Sequence, residues 1–387
     1  MTLTLTHIIA EQSPAAAATL LSELLALPDF RGLRQRVIVW GNMPAGLCIP
    51  DGVPYERRPR RFSWPPAAGW MLRRAGGRVV GAEIVHAWGA AASSMAGYAF
   101  KGTTPLLTTL VDPAEARPWC RWWRDLAMGP EGGNVICTSA VLADRLAAAG
   151  VPDRAVTLLP PVMNPSWMES SGEPLCREDL GLPVDARVLL TPGPPSRAGG
   201  QFFAVWTTAV LRKVIPNLHL LIPGCSGEQR RLREFVSTMY CPEAFRLCGD
   251  RFSFGQLLGL ADLLVFPAVA DVPVGGLMRA MAAGVPVVAG DVPAVREWIT
   301  DGQSGFLCRP ADMHDLAVRV REALEDDPLR RRCTAEARAT VLAADVGRRW
   351  VDGYFKLLDD MLALARGNPE REAVMSAPLS ERPNPVE

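Results

Sequence analysis

Apolar positions along the chain follow two alternating rhythms. Short β-branched runs recur at residues 6–10 (THIIA), 36–40 (RVIVW), 83–87 (EIVHA), 105–110 (PLLTTL), 134–138 (NVICT) and 156–159 (VTLL). Among them lie stretches with apolar residues at helical spacing, an Ala/Leu-rich one at 14–26 and another at 139–149. After a stretch without period at 160–175, rich in Pro, Ser and Gly, the alternation begins again. Strands are predicted at 187–191, 218–222, 245–248, 262–266 and 285–289, with helices at about 200–214, 227–239, 254–261 and 276–283. Repetition of this kind means parallel sheets with helices on their faces. The aperiodic stretch reads as a linker, so two α/β domains are expected, at 1–165 and 175–345. A helix follows at 346–366, with Trp350, Tyr354, Leu357, Leu358, Met361 and Leu362 at helical spacing. The tail 367–387 has little to bury and is expected to be disordered.

Composition narrows the classes. Lys plus Arg and Asp plus Glu each number 41 among 387 residues, so no global basic surface exists for nucleic acid. Nine cysteines contain no C-x-x-C pair, and the histidines at 7, 86, 219 and 314 lie far apart. This argues against a zinc cluster and suggests no disulfide framework. The start lacks the basic flank and apolar stretch of a signal peptide, and no window reaches the ~18 apolar residues of a membrane span. A reduced, cytoplasmic protein is the expectation.

Residues 262–310 carry most of the functional information. Phe266-Pro267 ends a strand, and an acidic position and two glycines lead into a helix. AMAAGVPVVA follows at 280–289, then Pro293 and Glu297, then DGQSGFL at 301–307. In this order and spacing the run resembles the nucleotide-sugar-binding half of group 1 glycosyltransferases, retaining enzymes of the GT-B fold. The resemblance extends more weakly over nearly the whole chain, through 135–152 and through 348–362, which looks like the family's closing crossover helix. It implies two Rossmann-like parallel-sheet domains facing a cleft, the first on the acceptor side and the second binding the donor, with a C-terminal crossover helix. It further implies transfer of a sugar from a nucleotide-diphosphate donor to a hydroxyl, with no required metal or other cofactor.

Independently of any family, Gly275 and Gly276 open a helix whose first N–H groups, through Leu277, lack internal partners. Such a terminus carries partial positive charge and accepts a phosphate, and glycine lets a ligand approach the backbone closely. The plainer explanation is that the two glycines only permit tight packing. By resemblance, donor contacts fall on Gly193, Ser196 and Arg197 in TPGPPSRAGG (191–200), and on Asp271, Gly275, Gly276, Leu277 and Arg279.

Several positions depart from the family pattern. Two glutamates eight residues apart become Asp271 and Arg279, and an arginine cannot accept hydrogen bonds from a ribose diol. The family's Gly-Arg and following Lys, which neutralise the leaving diphosphate, become Pro194 and Gly199, with Arg197 the nearest substitute. In the first domain Val111 replaces a His, and Pro161 and Val162 replace an Asn-Gly pair. His86, at a strand end, matches an acceptor-side position, although a lone strand-end His is as often structural; Ser139 reads first as a helix N-cap. No general base or nucleophile stands out.

Residues 56–74 mix six arginines with Phe62, Trp64 and Trp70, and 117–125 add Trp119, Trp122 and Trp123 among arginines. Such clusters suit an anionic membrane surface or an anionic glycolipid acceptor, or else loops whose tryptophans cover a domain edge. The expected partners are thus a nucleotide sugar, a glycolipid or polysaccharide acceptor and the inner face of a membrane, without nucleic acid. The alternative is a catalytically impaired relative kept as a nucleotide-sugar-binding or scaffolding subunit. A nicotinamide-dependent oxidoreductase fits the rhythm but lacks G-x-G-x-x-G after a strand.

Overall fold

Seven parallel strands form one sheet in the order β3-β2-β1-β4-β5-β6-β7: β1 Thr4–Ala10, β2 Arg34–Trp40, β3 Tyr55–Arg58, β4 Ile84–Trp88, β5 Leu106–Leu110, β6 Asn134–Cys137 and β7 Val156–Leu158. A second parallel sheet has the order β10-β9-β8-β11-β12-β13: β8 Arg187–Leu190, β9 Leu218–Pro223, β10 Phe245–Gly249, β11 Leu263–Phe266, β12 Val287–Gly290 and β13 Phe306–Cys308. In this computed structural model the described residues are 3–27, 33–59, 82–100, 104–116, 134–161, 173–224, 228–343 and 346–365. Most of the expected linker, nearly all of both arginine–aromatic clusters, Val162 and the tail lie outside them.

The chain divides into two compact units, residues 1–164 with 346–387 and residues 165–345. In each sheet the strand order reverses beside the first strand, at β1/β4 and at β8/β11. Such switch points open crevices at the carboxyl ends of parallel strands. Successive strand residues face opposite sides, which sorts the first core into two layers. Leu5 and Ile9 of β1 with Ile84 and Trp88 of β4 meet the helix Ala15–Ala26, and Ile8, Ala10, Val85 and Ala87 meet the helix Ala90–Phe100.

The helix Val346–Ala365 completes the first layer. Trp350, Tyr354, Leu357, Leu358 and Met361 are all buried in the cluster that holds Leu5, Leu21 and Trp88. The contact is close at Gly353, where a Cβ would stand 2.6 Å from a methyl of Leu159.

The second core gathers Leu220, Val265, Val288 and Phe306 from the sheet with the helices Gln201–Leu211 and Met313–Glu325 and with Cys333 of Asp327–Ala343. β3, β13 and the helices 90–100, 313–325 and 327–343 are elements that the hydrophobic pattern left unassigned.

Candidate functional site

The switch point of the second sheet is built by the loop 191–200 after β8 and the segment 267–274 after β11. Val269 N–H donates to Ala198 O at 2.9 Å, tying the two together. Gly200 closes the first loop with φ +73°, and a Cβ there would collide with Pro267 O. Only glycine meets both demands, the left-handed backbone and the close approach.

Inside the loop, Gln201 is 3% exposed and folds back over the turn. Its Nε2 donates to Pro192 O at 2.8 Å, while its Oε1 accepts Ser196 N–H at 3.0 Å. Ser196 Oγ in turn accepts Gly199 N–H at 2.9 Å. Gln201 organises this loop, and no local sequence signal marks it.

The helix Gly275–Ala283 begins beside that loop, uncapped by any side chain at Val274. Its first ladder bond is Met278 N–H to Val274 O at 3.0 Å, which leaves the N–H groups of Gly275, Gly276 and Leu277 outside the ladder. At Gly276 the packing explanation holds, because a Cβ would stand 2.8 Å from Pro192 Cβ. Leu277 is buried, so it can offer a ligand only backbone.

The other expected donor residues are placed less simply. Gly193 has no room for a Cβ against Pro223 O, and Pro194 lies against Gly224 at the end of β9. Arg197 is 78% exposed and lies 4.0 Å from Glu228, an arginine held by solvent more than by the site. Asp271 Oδ1 accepts Ala294 N–H at 3.0 Å, so its carboxylate caps the start of the turn Pro293–Arg296 and joins the β11 and β12 loops. Arg279 is the fifth residue of its helix, beyond the first turn in which the dipole would oppose a cation.

His86 is a correction. It was expected at the acceptor side, but it is fully buried with both ring nitrogens engaged, Nδ1 with Tyr354 Oη at 2.6 Å and Nε2 with Thr109 Oγ1 at 2.7 Å. His7, paired with it in register on β1, accepts Trp88 Nε1–H on Nδ1 at 3.1 Å and shares Nε2 with Gln35 Oε1 at 3.1 Å. Period two places both rings on the face that receives the C-terminal helix, so a polar row is sealed under Tyr354. Ser139 Oγ accepts Leu142 N–H at 3.2 Å, the plain N-cap.

Burial lowers His7 to about 4 and His86 well below the usual histidine range, with the neighbouring His7 adding to the fall at His86. The unfolded rings take up protons below about pH 6.5 that the folded rings refuse. Their stability contribution is therefore present above that pH and is lost as pH falls toward the folded values. His7 alone should cost about 2 kcal/mol by pH 5. Urea unfolding of the wild type and of His7→Gln at pH 7 and pH 5 isolates this contribution from groups such as Glu115 that titrate in the opposite sense, and an equal pH dependence in the two proteins would mean that the ring is charged in the fold.

Two family models divide the chain as its units do. The model for glycosyl transferases group 1 matches residues 176–340, and that for glycosyltransferase family 4 matches 26–167. Residues 176–340 thus belong to the group 1 glycosyltransferases. A putative glycosyltransferase EpsD of Bacillus subtilis is 26% identical over 43% of this chain and 44% of its own length. A D-inositol 3-phosphate glycosyltransferase of Stackebrandtia nassauensis is 28% identical over 53% and 48%. The chain thus spans under half the length of these two curated relatives. A phosphatidyl-myo-inositol mannosyltransferase of Mycobacterium leprae is 27% identical over 78% of this chain and 79% of its own. Among solved structures, Anabaena HepE in complex with UDP and glucose aligns with a TM-score of 0.71 at 19% identity, covering 92% of this chain and all of HepE. The lipopolysaccharide glycosyltransferase WaaG aligns with a TM-score of 0.67 at 16% identity, over 88% and 98%. Both share the GT-B arrangement of two Rossmann-like parallel-sheet units.

Proposed function

We propose that this glycosyltransferase binds the diphosphate of a nucleotide sugar at the carboxyl ends of β8 and β11 and transfers the sugar to a hydroxyl acceptor. One observation carries the reading. The free N–H groups of Gly275–Leu277 open beside the Gly200 loop at the switch point of the second sheet, where a phosphate meets a helix dipole without needing a side chain. Gly193 and Ser196 in the loop after β8 and Asp271 in the segment after β11 would contact the donor, with Arg279 of the helix Gly275–Ala283 and with Arg197 as the substitute cation for the leaving phosphate. No metal is assigned to the step. A glycolipid or polysaccharide is the acceptor class, and the arginine–aromatic segments would meet an anionic membrane from the cytoplasmic side. Among the described residues no helix is long and apolar enough to cross a membrane.

A second reading has a specific observation behind it. The two family cations are missing, and the loop leaves little room for their return. A Cβ at Gly199 would stand 2.8 Å from both Gln201 Oε1 and Ser196 Oγ, and Pro194 is packed on Gly224. Removing one preorganised donor of this kind costs about a hundredfold or more in rate. Turnover should be slow, and a subunit that binds a nucleotide sugar without efficient transfer is the limiting case.

Calorimetric titration with UDP-, GDP- and ADP-sugars, followed by a nucleotide-release assay, tests both readings. UDP-glucose is the first probe because the HepE structure holds UDP and glucose. Binding with little release fits the subunit, and fast release refutes it. Absence of binding for every nucleotide sinks the site. Arg197→Ala should weaken nucleotide affinity about tenfold, through loss of one charge-assisted contact, and leave the melting temperature unchanged. Equal affinity would remove Arg197 from the site.

A further inference from the structure

The crevice at the switch point of the first sheet is closed by a side chain that no motif marks. Glu115 sits in the 3₁₀ turn Pro113–Ala116 that follows β5. Its Oε1 accepts Ala90 N–H, the first of the helix Ala90–Phe100, at 2.7 Å. Its Oε2 accepts the N–H groups of Val111 and Asp112, each at 3.3 Å. A Cβ at Gly89 would stand 3.0 Å from Oε1, 3.1 Å from Pro14 and 3.3 Å from Ser13 Oγ, so the ends of β1, β4 and β5 converge on this carboxyl. The residue nevertheless keeps part of its surface open to solvent.

A helix N-terminus at a strand-end crevice is where an external anion would ordinarily settle. Here the chain supplies that anion itself. Asp112, on the same turn, adds a second negative charge and uses Oδ1 to accept Ala114 N–H at 2.8 Å.

We propose that Glu115 is the positioning residue of this crevice: its carboxylate fills the anion position of the helix Ala90–Phe100, ties the β4 and β5 loops together, and reserves the crevice for an acceptor that presents a hydroxyl there instead of a phosphate or carboxylate. The inference rests on the transfer reading above, and it makes Glu115 a determinant of which acceptors enter.

The protonation state of Glu115 governs how well it does this. Burial pushes its carboxyl up to about 7, against the pull of the Ala90 N–H bond, and the Asp112 carboxylate adds to the rise. The loop after β1 presents Ser13 and Pro14, and the helix start presents Gly89 and Ala90. From the helix Ala140–Ala148, Arg145 donates to Pro113 O at 3.3 Å. Between the ordinary carboxyl value and about 7, the folded chain keeps a proton that the unfolded chain has lost. The contribution of Glu115 to stability is therefore present at lower pH and is lost as pH rises through about 7. Ionisation gives the helix start its anion at a cost in stability, a cost that groups at functional sites commonly carry.

The test uses the full chain and needs no activity. Hydrogen exchange at Ala90, Val111 and Asp112, corrected for intrinsic rates, is followed from about pH 6 to about pH 8. In the wild type, protection at these amides should fall severalfold across that range, because opening returns Glu115 to its ordinary carboxyl value, while protection at Ala294 in the second unit stays level. Glu115→Gln, which does not titrate, should flatten the fall. Glu115→Ala should abolish protection, added formate should restore it, and inorganic phosphate should bind to this variant alone. Binding of UDP should be the same for all three proteins, so failure of the transfer reading would appear in the UDP titration and leave the exchange result interpretable. A pH-independent protection in the wild type, a brace indifferent to Glu115→Ala, or phosphate binding equally to wild type and variant would each overturn the proposal.

Discussion

Truncation after residue 345 should leave the first unit unable to fold while the second unit persists. The removed helix contributes five large side chains, Trp350, Tyr354, Leu357, Leu358 and Met361, each 4% exposed or less. At roughly 1.5–3 kcal/mol apiece their burial is worth at most about 15 kcal/mol, and less against a compact unfolded chain. That is comparable to the whole stability of a typical domain. Truncation also removes Tyr354 from His86, leaving a buried ring nitrogen without its partner. The core of the second unit contains none of these residues. Thermal unfolding of the truncated chain should lose one transition and keep the other, with limited proteolysis confined to residues 1–164. Two intact transitions would show that the helix is an accessory to the first core.

Gly200→Ala should disable the donor site without touching a residue that contacts the donor through its side chain. The new Cβ would collide with Pro267 O, and φ +73° is unfavourable for any residue with a side chain. Overpacking and backbone strain together should cost about 3 kcal/mol. Relief requires the β8 and β11 loops to part, which breaks Val269 N–H to Ala198 O and displaces the loop from the N-terminus of the helix Gly275–Ala283. Nucleotide affinity should fall by at least a hundredfold, with a lower unfolding midpoint for the second unit alone. A variant that keeps both would place nucleotide binding elsewhere in the chain.

The elements that the pattern revealed are those whose partners matter least. β4, β11 and β12 are buried on both faces along their whole length, and β1, β2 and β8 over most of theirs, so each carries a legible apolar stretch wherever the sheet places it. β3 is YERR, a charged edge strand whose pairing with β2 supplies what its residues do not. The helix Ala90–Phe100 is mostly Ala, Ser and Gly, whose small side chains mark no clear polar face; its seven buried residues are defined by the sheet it packs on. The helix Met313–Glu325 did carry a readable start, because Asp312 accepts Asp315 N–H at 2.9 Å as its N-cap.

The candidate site divides along the same line. Sequence alone determined the glycine-led helix at 275, a property of residue type and local spacing, while the role of the loop at 191–200 and the loss of two leaving-group cations were what the family resemblance implied. It could not determine that Gly276 packs on Pro192, that Asp271 caps a neighbouring turn, or that Gln201 fills the space beside Gly199. Those facts depend on which loops the strand order β10-β9-β8-β11-β12-β13 brings side by side. His86 and Glu115 show the principle most plainly. A histidine at a strand end and a glutamate in a turn are polar residues of undecided fate in the sequence. Only the tertiary structure, by burying one under a helix that arrives 268 residues later and aiming the other at a helix N-terminus, decided which is sealed in the core and which still meets solvent.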